Sequence, residues 1–479
     1  MTHTLLIRNV EVDGRARLDV RIDAGRIVEI GPRLVGRGDE LDGRGGALIP
    51  GLADHHIHIL GLAAQRDSVD LQGVASAKDF AERIAAAARA RPRGGWIRAV
   101  GYHERIAGEI TRLDLDRLAP GHRVRVQHQT GSLWILNSRA LESLGGDDPP
   151  ACVERDAQGR MSGRIWRGDA WLRARIGSQV PPLAPVGHQL ATYGVTALTD
   201  ASVTTDADAA GRLADAWRAG DLPQRLTLMS GGALAPPPDG AWAVGPVKIL
   251  LDDHNLPDLE DFAGRIAMAR DWARQVAVHC VTAGELATAL AAFEIAGARP
   301  GDRIEHGGVI PEAAIPQIRN LGLTVVTQPA FVLERGDRYL AEVDPAEHGD
   351  LYRSASLLAA DVPLAASSDA PYASPDPWRA IRAAVSRRTL AGRSLGEAER
   401  LSARAALALY VDEPAAPGRV RRRVAPGAEA DLCLLKAPMC EVLTQPDADL
   451  VAATVLGGRI IYDGKAPADA TAHGRRAGE

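Results

Sequence analysis

The chain has 479 residues, 46% of them hydrophobic, and a formal net charge of -5. That balance suits a globular protein of about two to four domains with ample core, and it argues against a nucleic-acid binder. No apolar run suits a membrane span, the start Met1-Thr2-His3-Thr4 carries no signal region, and the four cysteines lack the spacing of a disulfide framework or thiolate zinc site. A cytoplasmic protein without nucleic-acid or membrane partners is expected.

Residues 4–47 alternate apolar and polar side chains in short runs, punctuated by Asp13-Gly14, Ala24-Gly25 and Gly31-Pro32, which predicts a meander of half-buried strands. The same texture returns at residues 430–435 and 450–464. Two small β segments cannot each build a core, so residues 1–47 and 420–465 are expected to form one composite β-sandwich. The polar tail after Lys465 is expected to be disordered.

Between them, residues 48–419 alternate short apolar runs with helical stretches. Strands are predicted at 47–49, 194–199, 225–229, 247–251, 276–279, 303–306, 323–327 and 363–367. Eight such units favour an α/β fold of the (β/α)8 TIM-barrel type over an open sheet. Residues 60–190, between the first two strands, are too many for a loop. They hold an Ala- and Arg-rich helix at 78–90 and a strand pair at 124–136, and read as an inserted cap over the barrel mouth.

The most informative stretch is Pro50-Gly51-Leu52-Ala53-Asp54-His55-His56-Ile57-His58. In an extended chain residues two apart share a side, so His56 and His58 can reach one metal ion while His55 points away. Alone, a His-x-His pair is more often a turn or surface feature than a ligand pair. Barrel enzymes gather their chemistry at the C-terminal rim of the strands, and there the chain also puts Lys248, His279, His306 and Asp369. Only Lys78, Lys248, Lys436 and Lys465 are lysines among 56 basic residues, so a lysine in an apolar strand needs a reason. One reason is structural, a buried stem with the ammonium paired to Asp252 or Asp253.

This pattern resembles the amidohydrolase superfamily, in the branch that includes N-substituted formamide deformylases. The resemblance is carried by the Pro-Gly-x-x-Asp-x-His-x-His opening, Val247-Lys248, Arg303-Ile304-Glu305-His306, Gln328-Pro329, Ser368-Asp369 and the insertion with Asn137-Ser138-Arg139-Ala140-Leu141. It implies a binuclear centre of two divalent ions, zinc being the expected metal. His56, His58 and Asp369 would hold one ion and His279 and His306 the other, with a carboxylated Lys248 as bridge. A lysine amine can form such a carbamate and a guanidinium cannot. The implied reaction cleaves an amide C–N bond, linear N-acyl or cyclic, by attack of a metal-bridging hydroxide, with Asp369 as general base and then acid. Glu305 and Asp54 are candidates to orient the ligand imidazoles.

Candidate substrate contacts are Tyr102, His103, His128 and Trp134 in the insertion, and Gln328 and Tyr372 on the rim. Here the chain departs from the family, with Thr130-Gly131-Ser132, Gly163 followed by Arg167, and His279-Cys280-Val281-Thr282-Ala283 where other residues are usual. The substrate is therefore expected to be a small molecule of its own kind, and Arg167 and Arg303 raise an anionic one. Two rivals stand beside amide hydrolysis. One is a mononuclear deaminase of a heterocyclic amine, with a histidine or glutamate proton shuttle. The other is a non-catalytic scaffold. The family habit suggests a homodimer.

Overall fold

The computed structural model describes residues 4–36, 38–145, 149–176 and 181–464, so the tail after Lys465 lies outside the described residues. The chain divides into two compact units, Met1–Ile59 with Leu183–Glu479, and Leu60–Pro182.

The first unit is built on eight strands in one parallel sheet: Leu52–Ile57, Val195–Asp200, Arg225–Ser230, Ala243–Ile249, Val276–Cys280, Arg303–His306, Thr324–Thr327 and Leu364–Ala366. Each pairs with the next in chain order. The strands are almost wholly buried, as expected of a barrel whose outer face is covered by helices and whose inner face packs as its own core. First and eighth strands meet at the rim, where the Asp369 N–H donates to His56 O and the His58 N–H to Ala370 O, both at 2.8 Å. Lower down, the Leu409 and Tyr410 carbonyls accept from Ala366 (3.0 Å) and Ala53 (2.7 Å), leaving the barrel nearly closed.

The first barrel strand is not where the sequence predicts it. Leu48–Pro50 pairs antiparallel with Leu432–Leu435 in a different sheet, and the barrel begins at Leu52. The apolar run from Ala47 to Ala53 is continuous across both elements, so periodicity alone does not divide it. Gly51 makes the division, because a Cβ there would lie 2.2 Å from Thr196 Cγ2 in the second barrel strand. The barrel thus starts as close to Thr196 as a backbone can come, and His56 sits inside the strand rather than after it.

Both chain ends supply the β-sandwich. One sheet has the order Arg26–Gly31, Arg15–Asp23, Thr4–Val12, Asp39–Asp42, and the other Arg459–Asp463, Val451–Leu456, Leu432–Leu435, Leu48–Pro50. Leu5, Ile7, Val20 and Ile22 pack with Leu432, Leu434 and Val455 in one core. Neither sheet has an apolar layer without the other.

The second unit follows the first barrel strand. A six-stranded mixed sheet, ordered Val153–Arg155, Met161–Trp166, Leu133–Leu136, Arg123–His128, Trp96–Tyr102, Val69–Asp70, carries the helices Ala77–Ala90, Arg112–Leu118 and Ser138–Leu144. Side-chain caps from Ser76 and Asn137 start two of these helices. Its core includes Phe80, Ile84, Ile97, Val124 and Val126. No described helix in either unit is long and apolar enough to cross a membrane.

The Gly51 contact generates a stability prediction. Gly51→Ala should cost about 1–3 kcal/mol by overpacking against the buried Thr196. The double variant Gly51→Ala/Thr196→Gly should lose less than the sum of the two single variants, because it removes Cγ2, Oγ1 and the Cβ that lies 2.8 Å away, as a denaturant-midpoint cycle would show. Additive losses would place the strain elsewhere.

Candidate metal centre

The barrel rim gathers imidazoles around one carboxylate. His56 Nε2 lies 3.4 Å and His58 Nε2 3.2 Å from Asp369 Oδ1, and His306 Nδ1 lies 3.9 Å from Oδ2. The ring centroids of His56 and His306 are 4.8 Å apart. Ligand atoms of His56, His306 and Asp369 all lie within 4.8 Å of one another, and the three residues are buried.

Each imidazole is set by a second partner. His56 Nδ1 hydrogen-bonds Glu305, whose other oxygen is ion-paired with Arg303. The Gln328 side-chain oxygen accepts from His306 Nδ1 at 2.8 Å, and its amide nitrogen donates to Ser367 Oγ at 3.0 Å, which fixes which way the amide faces. His58 Nδ1 is 2.9 Å from Ser202 Oγ. Because Glu305 and the Gln328 oxygen accept at Nδ1, the Nε2 lone pairs of His56 and His306 are left free, as a metal ligand requires. Asp54 works through the backbone, accepting from the His56 (3.2 Å) and Ser368 (3.1 Å) N–H groups. It ties the first ligand segment to the last, and burial pushes its carboxyl up to about 6.

Burial also sets the charge of the imidazoles. It holds His56 and His306 well below the usual histidine range, with the Lys248 charge among the further causes, and takes His279 to about 4. All three are neutral at pH 7, the form that binds a cation. His56 Nε2 and Asp369 Oδ1 are buried and have no hydrogen-bond partner. Such orphaned atoms are costly unless something bonds them, and a divalent ion shared by nitrogen and oxygen donors fits that need.

Two of the three cluster residues carry backbone strain. His306 has φ 71° and Asp369 φ 54°, a region that costs a non-glycine residue about 1–3 kcal/mol. The strain sits where the strands of the rim hand over their ligands.

The expected binuclear centre with a carboxylated Lys248 bridge is overturned. Among the described residues one cluster of histidine and carboxylate donors is suited to a metal, His56-His306-Asp369, and no second cluster accompanies it. His306, expected to serve a second ion, has a donor atom within reach of His56 and Asp369, and His279, whose ring centroid is 4.5 Å from that of His306, is not part of the cluster. Lys248 is buried with its Nζ unpartnered, and burial lowers its pKa. It does not pair with Asp253, which accepts instead from Thr282 Oγ1 at 2.8 Å.

The remaining sequence candidates fall into three groups. Gln328 is fully buried behind His306 and orients it. Tyr372 is 59% exposed, with its ring edge-on to His58 at 5.7 Å, and lines a cavity of about 760 Å³ that reaches His279, His306 and Asp369. Tyr102, His103, His128 and Trp134 belong to the second unit and are engaged there. The Tyr102 hydroxyl donates to Gly108 O at 2.7 Å, His103 caps the helix Glu104–Ala107, His128 Nε2 is 3.0 Å from Glu104, and Trp134 has Arg98 and Arg125 over its ring. Arg303, raised as an anion contact, is buried and committed to Glu305 and to the His55 carbonyl. Ser202 went unnoticed in the sequence, although its place two residues past the second strand is a rim position like the others.

A profile of the amidohydrolase family matches residues 39–462. The N-substituted formamide deformylase of Arthrobacter pascens is 25% identical over 86% of this chain and 88% of its own length. An uncharacterized metal-dependent hydrolase from Pyrococcus horikoshii superposes with a TM-score of 0.73 at 20% identity, over 96% of this chain and 100% of that one. N-isopropylammelide isopropylaminohydrolase from Burkholderia multivorans gives 0.53 at 17% identity, over 96% and 98% of the two chains. The chain belongs to the amidohydrolase family and is a metal-dependent hydrolase of carbon–nitrogen bonds other than peptide bonds.

Proposed function

We propose that this hydrolase works with a single metal ion and displaces the amino group of a heterocyclic amine. The observation that carries the reading is the His56-His306-Asp369 cluster, the one such cluster among the described residues, reached by a cavity whose wall includes the aromatic residues Phe331, Tyr339 and Tyr372. A flat ring suits such a wall. The similarity in fold to an isopropylaminohydrolase supports the same direction.

A divalent ion held by this cluster supplies activation of water near neutral pH and polarisation of the attacked centre. The chain's own residues do the rest. Asp369 faces the cavity and can take the proton of the attacking water and return it to the leaving nitrogen. Glu305 is unsuited to shuttle protons, being fully buried between His56 and Arg303. His279 lines the cavity, is neutral at pH 7 and is the better placed shuttle for a ring nitrogen. Amide hydrolysis at the same ion is the second reading, supported by the likeness to a formamide deformylase over most of the chain.

Product analysis separates the two. Zinc-loaded protein should release ammonia or an amine from ring-amine substrates and leave N-formyl and N-acyl amides intact. Acid release from the amides alone would favour the second reading, and turnover of neither class would contradict both. Asp369→Asn should lower kcat about 100-fold or more while the chain stays folded, because asparagine tolerates the left-handed backbone at this position. Gln328→Leu should weaken metal affinity about 10- to 100-fold by freeing the His306 ring, read by competition with a chelating dye. Unchanged affinity would mean that His306 needs no such support.

A further inference from the structure

Arg335 sits on the helix Ala330–Glu342, which follows the seventh barrel strand, and its side chain lines the cavity that opens on the metal cluster. Its guanidinium carbon lies 4.2 Å from the Phe331 ring centroid and 5.9 Å from that of Tyr372. One amino group donates to the Tyr372 carbonyl at 2.7 Å. Tyr372 in turn packs edge-on to His58, whose Nε2 lies 3.2 Å from Asp369, so a continuous set of contacts runs from the metal cluster to this cation.

What sets Arg335 apart is its lack of a counter-charge. Its neighbours are matched: Arg338 with Glu342 at 2.7 Å, Arg379 with Glu334 at 2.7 Å, and Arg393 with Asp337 at 2.8 Å. Among the described residues no carboxylate lies within ion-pair distance of Arg335. The cavity wall also carries Asp253, Asp344, Glu347 and Asp369, none of them paired with Arg335; Asp253 accepts from Thr282 Oγ1 and Asp344 from the Ala346 N–H. A half-buried guanidinium within cation–π range of two rings and given no anion is a site prepared for one. The planar fork matches a carboxylate, to which it can donate two parallel hydrogen bonds.

We propose that Arg335 is the specificity-determining residue of this enzyme and that it binds a carboxylate of the substrate, so that the substrate is an anion carrying its acid group away from the scissile C–N bond. This deepens the function proposed above and rests on that cavity being the active site. It moves the anion contact from Arg303, which is consumed inside the barrel, to the cavity wall.

The test uses metal-free protein, where a carboxylate has no ion to ligate, and compares benzoate with benzamide by titration calorimetry. Wild-type protein should bind benzoate at least about 10-fold more tightly than benzamide, the effect of one charge-assisted contact. Arg335→Met should abolish that preference, Arg335→Lys should restore part of it, and Arg338→Met should leave it intact. Equal binding of the two probes by wild type, or the same benzoate affinity in Arg335→Met, would overturn the proposal. The wild-type comparison stands even where the Met variant does not fold. Hydrolysis by the zinc-loaded protein is measured in parallel. Turnover of ring amines without a benzoate preference would sink the Arg335 role alone. A benzoate preference without amine turnover would sink the deaminating reading alone.

Discussion

Two main-chain hydrogen bonds hold this molecule's chemistry together, one from the Asp369 N–H to the His56 carbonyl and one from the His58 N–H to the Ala370 carbonyl. They join the last barrel strand to the first, across a separation in sequence of more than three hundred residues. Because they are backbone bonds at the rim, the same contact that completes the sheet sets the carboxylate of one motif beside the imidazoles of the other. Asp54 reinforces the seam from beneath by accepting from both segments. The left-handed backbone of Asp369 follows from this geometry, since the chain must turn sharply to present its side chain to His56. Folding energy from the rest of the barrel maintains that strain.

Burial then does the electrostatic work. In water an imidazole titrates near neutrality, and here His56 and His306 are held neutral because a charged ring would be desolvated beside Lys248 and other imidazoles. Glu305 and Gln328 decide which ring nitrogen is left free. The cluster is therefore organised for a cation by groups that never touch one. Without an ion the cluster leaves buried donor atoms unsatisfied, so metal binding is expected to add stability as well as reactivity.

Much of this was legible in the sequence. Apolar runs alternating with helical stretches identified a parallel barrel, and strands at both chain ends identified a shared sandwich, because neither end has enough apolar surface alone. The rim residues were legible because a strand's last residue is a defined place in such a barrel. The start of the first strand was not, since Ala47 to Ala53 reads as one apolar run and only the close approach of Gly51 to Thr196 divides it. How the ligands partition was not legible either. Spacing along the chain says that His279 and His306 end neighbouring strands, but not that a donor atom of His306 comes within 4.8 Å of those of His56 and Asp369. A lysine scarce in the chain and buried in a strand invited a bridging role that the donor set does not support.

The central claim is a single-ion centre made by His56, His306 and Asp369, and metal content per chain tests it most directly. Elemental analysis of protein purified without chelators should give one divalent ion per chain. That ion should be lost in His306→Ala and kept in Lys248→Ala. Two ions in the wild type, falling together in the Lys248 variant, would contradict the account.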